Sequence, residues 1–193
     1  MTAKTAPQVL VVVAPGAEEI ETLTVADVLV RAGCDVTMAS NEGPVVTGSR
    51  GLPLAAHTRL ADVAARAFDC VYLPGGFGSA EYCRDTAIVQ DLAEAQLASG
   101  RLLAVICACP LALLPRGLAK DRRITCYPAL REQFEGSVGE WVDEAVVIDD
   151  NLVTSQGPAT AMRLGLTLAQ LLVDDATAAK VAADMLAPEL IAS

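Results

Sequence analysis

Three blocks of this chain are apolar at every position: residues 9–14 (VLVVVA), 70–73 (CVYL) and 102–106 (LLAVI). A strand that alternates apolar and polar residues has one wet face. A strand that is apolar throughout has to be covered on both faces, which is the condition of a parallel sheet held between two layers of helices.

The segments between the blocks supply those layers. Residues 8–14 end at Pro15-Gly16. Residues 18–32 then show helical periodicity, with Ile20, Leu23, Ala26 and Val30 assigned inward and Gly33 just past the end. Residues 35–40 (DVTMAS) read as a second strand, and residues 45–55, with Gly48, Gly51 and Pro53, as short irregular strands or a hairpin. A short helix over 60–67 leads to strand 70–73, closed by Pro74-Gly75-Gly76. A helix over 86–99 ends at Gly100, ahead of strand 102–106. Beyond it come a helix from Ala108, a strand over 124–127, a short helix over 129–134, a hairpin of 145–149 with 152–155, and helices over 159–173 and 177–186. This order predicts a single domain over residues 1–193, ordered from about 8 to 187. Its class is α/β: a flavodoxin-like three-layer sandwich with a mostly parallel central sheet and helices on both faces.

Composition narrows the function classes. No apolar run approaches the roughly 20 residues of a membrane span, and the polar start MTAKTAPQ lacks an apolar signal core. A net charge of −10 argues against nucleic acid and anionic membrane surfaces, which reward basic patches. Of six cysteines, Cys34, Cys70, Cys107 and Cys126 fall in or beside predicted strands, and no CxxC pair occurs. Free thiols in a reducing, cytoplasmic compartment are therefore expected. His57 is the only histidine, so no metal site is expected; no nucleotide motif is found, and no cofactor is expected.

In a sheet of this kind, ligands bind beyond the carboxyl ends of the strands. Three strand exits are informative: Gly16-Ala17-Glu18-Glu19-Ile20-Glu21, Leu73-Pro74-Gly75-Gly76-Phe77-Gly78, and Cys107. A thiol at the apex of a strand-to-helix corner faces incoming carbonyls. The helix end, from Ala108 on, is expected to lower its pKa and to hold an oxyanion. Gly75-Gly76 offers a further N–H, because without Cβ the backbone approaches a ligand closely. Each signal has an ordinary reading too: a turn, a packing cysteine, and acids placed for the helix dipole.

Residues 11–21 (VVVAPGAEEIE), 71–76 (VYLPGG), 104–114 (AVICACPLALL) and 154–158 (TSQGP) together resemble the ThiJ/PfpI superfamily, and within it the DJ-one branch. The resemblance spans essentially the whole chain. It implies that Cys107 is the reactive thiol and that Glu21 is a mostly protonated acid, hydrogen-bonded to the thiolate and able to stabilise its sulfinic form. It implies that Glu18 ties a neighbouring loop, and that Arg31 and Arg50 stand near the pocket and a dimer contact; solvated surface is the alternative for both arginines. Tyr127 and Ser155 are further pocket candidates, and a homodimer is implied.

The chain also departs from its relatives. Ala108 follows Cys107 where the protease-like branches have His, so their Cys-His pair is missing and peptidase activity is not expected. Glutamine amidotransferases share the corner but need a later His-x-Glu, and His57 precedes Cys107. Tyr127 stands where parts of the DJ-one branch carry a histidine, which leaves Glu21 or water as the base. Cys109 either resolves a sulfenate on Cys107 or packs; packing is preferred, since side chains at i and i+2 of a helix point apart.

Two functions fit these residues. In the first, the chain is a cofactor-free glyoxalase or deglycase acting on 2-oxoaldehydes such as methylglyoxal, or on glycated protein, through Cys107 and Glu21. In the second, it is a redox sensor and oxidative-stress chaperone switched by oxidation of Cys107 to sulfinate. A scaffold with an inert thiol is the third and plainest reading.

Overall fold

The computed structural model describes residues 5–191; the first four residues of the polar start, and residues 192–193 of the predicted domain span, lie outside them. The chain runs β1 (Gln8–Val12), α1 (Glu19–Arg31), β2 (Asp35–Ser40), β3 (Val45–Thr47), β4 (Pro53–Ala55), β5 (Thr58–Arg59), α2 (Leu60–Val63), β6 (Cys70–Leu73), α3 (Phe77–Asp85), α4 (Ala87–Ala98) and β7 (Leu102–Ile106). It continues through β8 (Arg123–Ile124), β9 (Glu140–Trp141), β10 (Val146–Asp149), β11 (Leu152–Ser155), α5 (Ala161–Leu172) and α6 (Asp175–Asp184), with 3-10 turns at Cys109–Leu113 and Pro128–Phe134.

Seven strands form the central sheet in the order β10-β11-β7-β6-β1-β2-β5. All neighbours pair in parallel except β10 with β11. The apolar blocks lie at its centre, and their successive side chains serve different layers. Leu10, Val12, Leu73, Leu103 and Val105 point into the core shared with α2, α3 and α4. Val9, Val11, Tyr72, Ala104 and Ile106 point into the core under α1, α5 and α6. This is the flavodoxin-like three-layer sandwich.

Four local expectations are corrected. The buried face of α1 carries Glu21, Thr22, Val25, Ala26, Val28 and Leu29; of the residues assigned inward only Ala26 is buried, while Ile20, Leu23 and Val30 are 50% to 57% exposed. Apolar side chains stand on both sides of this helix, so periodicity chose the wrong stripe. The helix α3 was unforeseen, because Gly78 and a scattered polar pattern conceal it. The segment after Cys107 is a five-residue 3-10 turn rather than an α-helix. Strand pairing near Cys126 stops at Ile124, and Cys126 and Tyr127 continue as irregular chain.

Candidate active site

The site is built where β1, β6 and β7 end side by side. At the tip of β7 the chain turns through Cys107, whose φ of 63° lies in the left-handed region that side-chain-bearing residues rarely adopt. Neighbours on both sides hold that conformation. Cys107 N–H donates to the Ser155 carbonyl at 2.9 Å, and the Cys107 carbonyl accepts from Tyr127 N–H at 2.8 Å. Strain held in this way at a thiol makes this corner the candidate for a functional site.

The β1 exit contributes the acid. Glu18 caps α1, its carboxylate accepting from Glu21 N–H at 2.8 Å. That cap sets the first turn so that Glu21 points back under the strand tips, fully buried. Glu21 Oε2 accepts from Gly75 N–H at 2.9 Å, and Tyr72 donates its hydroxyl to the Glu21 carbonyl at 3.1 Å. Oε1 has no hydrogen-bond partner of standard geometry among the described residues, and the thiol of Cys107 is the side chain against this carboxyl. Gly75 has to be glycine: a Cβ would meet Glu21 Oε2, Cys107 Cβ and the Ile106 carbonyl. Gly76 turns at φ 92°, and a Cβ there would run into the Gly16 carbonyl oxygen and the Glu18 amide. The amides of Gly76 and Ala108 both reach the Cys107 sulfur.

The electrostatics couple the two groups. Burial pushes the Glu21 carboxyl up to about 7, against the opposing hydrogen bonds from Cys107 and Gly75. Burial and the Glu21 charge together push the Cys107 thiol up to about 12, against the Gly76 and Ala108 amides. This corrects the expectation of a thiol acidified by a helix end: the 3-10 turn is too short to supply that field, and the sulfur is largely desolvated. Two negative charges cannot share this space, so the pair holds two protons below about pH 7 and keeps one above it. The nucleophilic form is the one in which Glu21 keeps that proton. Glu21 then adds no charge, and the two amides favour the thiolate.

In front of Cys107 opens a cleft of about 710 Å³, lined among others by Glu18, Arg50, Gly76, Phe77 and Tyr127. The loop-tying acid is Glu19, not Glu18. Glu18 is spent on the cap, whereas the Glu19 carboxylate accepts from Arg50 N–H at 2.7 Å, Leu52 N–H at 3.2 Å and Ser49 Oγ–H at 3.0 Å. Adjacent acids look alike in a sequence; the pairing of Glu19 with the glycine-bearing turn Thr47-Gly48-Ser49-Arg50-Gly51 was the signal available. Phe77, 61% exposed on the cleft wall, was also missed.

Two candidates stand elsewhere. Arg31 pairs with Asp27 on the outer side of α1 at 2.7 Å and does not line this cleft. Ser155 turns its hydroxyl to the Ala145 carbonyl (2.8 Å) and to Thr160 Oγ1 (2.6 Å), so only its backbone serves the site. Cys109 is buried and does not line the cleft; a hydrogen bond with the Cys83 thiol, and burial, raise its pKa well above the usual thiol range. Among the described residues no group of three or more His, Cys, Asp or Glu side chains is placed to hold a metal ion, and no helix is long and apolar enough to cross a membrane.

Comparison with known proteins bears on this geometry. The model of the DJ-1/PfpI family matches residues 7–171. Protein dj-1beta of Drosophila melanogaster is 41% identical over 92% of this chain and 95% of its own; its crystal structure superposes with a TM-score of 0.91, at 40% identity, over 94% of this chain and 98% of the other. A Caenorhabditis elegans protein named glutathione-independent glyoxalase DJR-1.2 is 33% identical over 81% of this chain and 83% of its own. The structure of oxidized Toxoplasma gondii DJ-1 has a TM-score of 0.89 at 36% identity, covering 94% of this chain and 98% of the other.

Proposed function

The chain belongs to the DJ-1/PfpI family, and from that premise we propose that it is a cofactor-free glyoxalase or deglycase, a single domain acting on 2-oxoaldehydes or their protein adducts. The observation that carries this reading is the left-handed Cys107, with two amides on its sulfur and a protonatable Glu21 behind it. The thiolate adds to the aldehyde carbon and forms a hemithioacetal. The amides of Gly76 and Ala108 adjoin the resulting oxyanion. Glu21 gives its proton to that oxygen, and as the carboxylate it then takes the proton from the former aldehyde carbon and returns it to the neighbouring carbon. Water then cleaves the thioester, releases a 2-hydroxy acid and restores the thiol. The relative named as a glyoxalase supports the reaction class. No imidazole is required, which suits a cleft whose aromatic walls are Phe77 and Tyr127.

Steady-state turnover of methylglyoxal by the purified protein, beside Cys107→Ser prepared identically, tests this. The wild type is expected to turn over and the variant to fall to background; equal rates would assign the activity to a contaminant.

A second reading has its own observation. Glu21 Oε1 lacks a conventional partner beside the sulfur, a place where a protonated acid would hold a sulfinate oxygen, and the solved structure of one relative is of its oxidized form. On that reading peroxide oxidises Cys107 and the sulfinate switches a chaperone or partner surface.

The protein works as a homodimer. The exposed Ile20, Leu23 and Val30 on α1 form the apolar face that such a contact would bury, and light scattering should report twice the chain mass. Six free thiols, five of them buried, suit the reducing cytoplasm as its compartment.

A further inference from the structure

We propose that Glu19 is a positioning residue for substrate binding: by holding the turn of residues 47–52 in place, it keeps the cleft wall against which the substituent of a bulky 2-oxoaldehyde rests. This inference depends on the glyoxalase reading above for its substrate and on the loop geometry for its mechanism.

Thr47, Gly48, Ser49 and Arg50 all line the cleft, yet residues 47–52 bury no apolar side chain. Something other than hydrophobic packing has to fix this wall. Two main-chain bonds tie its near side to the β1 exit: Gly16 N–H donates to the Thr47 carbonyl at 2.9 Å, and Ser49 N–H to the Ala17 carbonyl at 2.8 Å. The outer side closes on itself through Gly48 N–H to the Leu52 carbonyl at 2.9 Å and Gly51 N–H to the Gly48 carbonyl at 3.0 Å, and one carboxylate ties it to α1. Glu19 Oε1 takes the Arg50 and Leu52 amides, and Oε2 takes the Ser49 hydroxyl. Glu19 itself is only 5% exposed, and its carboxylate occupies the space that a Cβ on Gly48 would need. The glycine and the acid are therefore two halves of one joint.

The cleft is far larger than a three-carbon aldehyde, and Phe77 and Tyr127 present exposed rings to it. A substrate carbonyl at Cys107 is served by Glu21, whereas a large substituent extends along the wall. Loss of the joint should then weaken binding of large substrates while sparing the chemical step.

The test compares Glu19→Ala and Glu19→Gln on phenylglyoxal and methylglyoxal, with trypsin cleavage after Arg50 and iodoacetamide labelling of Cys107 as readouts independent of turnover. Glu19→Ala should raise KM for phenylglyoxal about tenfold, change KM for methylglyoxal less, leave kcat and labelling near wild type, and speed cleavage after Arg50. Glu19→Gln should restore all of these, since its amide oxygen accepts two N–H groups and its NH2 donates to Ser49 Oγ. If Glu19→Ala fails to fold, Glu19→Asp, one methylene shorter, takes its place with the same expectations. Unchanged KM with unchanged proteolysis would overturn the proposal, as would equal loss of kcat in the alanine and glutamine variants. If the wild type turns over neither aldehyde, the glyoxalase reading fails. Cleavage after Arg50 then decides the joint: protection in wild type and Glu19→Gln but not in Glu19→Ala upholds it, and equal cleavage in all three refutes it.

Discussion

Two acids, Glu19 and Glu21, stand two residues apart in the first turn of α1, and the regions they face differ in nearly every physical respect. On the loop side, burial raises the Glu19 pKa, but the amides of Arg50, Glu19 itself and Leu52, with the Ser49 hydroxyl, outweigh it and hold the carboxyl below its ordinary value. On the thiol side, one amide and Cys107 do not offset burial, and the Glu21 carboxyl rises to about 7. The difference is donor count. A carboxyl given several donors becomes a fixed anion that joins two pieces of structure, and one starved of donors keeps its proton up to neutral pH. Helix position alone assigned neither role.

The glycines opposite these acids offer the sharpest ways to break the contrast. At Gly75 an added methyl would press on Cys107 Cβ and the Ile106 carbonyl, atoms that cannot retreat. Gly75→Ala should cost about 3 kcal/mol or more by chemical denaturation, and should remove Cys107 labelling selectivity while leaving the loop at residues 47–52 protected.

The next effect concerns pH. Glu21 is neutral in the fold up to about pH 7, against an ordinary value of 4.5. Its stabilising neutrality is complete below the lower value and is lost as pH rises through the higher one. Relative to Glu21→Gln, the wild type should lose about 3 kcal/mol between pH 4.5 and 8, read as diverging denaturation midpoints. Parallel midpoints across that range would mean that Glu21 ionises without penalty.

A smaller effect is expected at Gly48. There the added methyl meets only the side chain of Glu19 and no backbone, so Gly48→Ala should cost about 1 kcal/mol, concentrated in the loop. The smallest lies outside the comparison. Arg31→Ala removes an exposed pair with Asp27 and should change chain stability by less than about 1 kcal/mol; a larger loss would tie Arg31 to the site after all.

The order of these effects mirrors how much the sequence made legible. The sheet was readable because blocks such as LLAVI carry no polar residue and fit only a doubly covered strand. That Cys107 and Glu21 would meet at the strand tips was readable because a thiol at one strand exit and an acid one turn into α1, after another, match a known pattern. The face of α1 was not, since Ile20, Leu23 and Val30 are as apolar as Val25, Val28 and Leu29, and packing partners alone separate the two stripes. Nor was the thiol's environment: composition cannot show that Pro110 stands in a short 3-10 turn, or that Cys107 is desolvated enough for its pKa to rise. Glu18, Glu19 and Glu21 share one chemistry, and only the neighbours each one meets, such as the loop 30 residues later, distinguish the cap, the joint and the buried acid.

The central claim is that Cys107 supplies the nucleophile and Glu21 the transferable proton, and Glu21→Gln separates them. Glutamine keeps an acceptor for Gly75 N–H and a donor toward the sulfur, but carries no proton to move. Methylglyoxal turnover and iodoacetamide labelling of Cys107 should be measured on the same preparation of this variant. Labelling is expected to persist while turnover falls by about 100-fold or more, the scale of a lost general acid–base. Turnover at the wild-type rate would contradict the account and leave the redox-sensor reading as the stronger one.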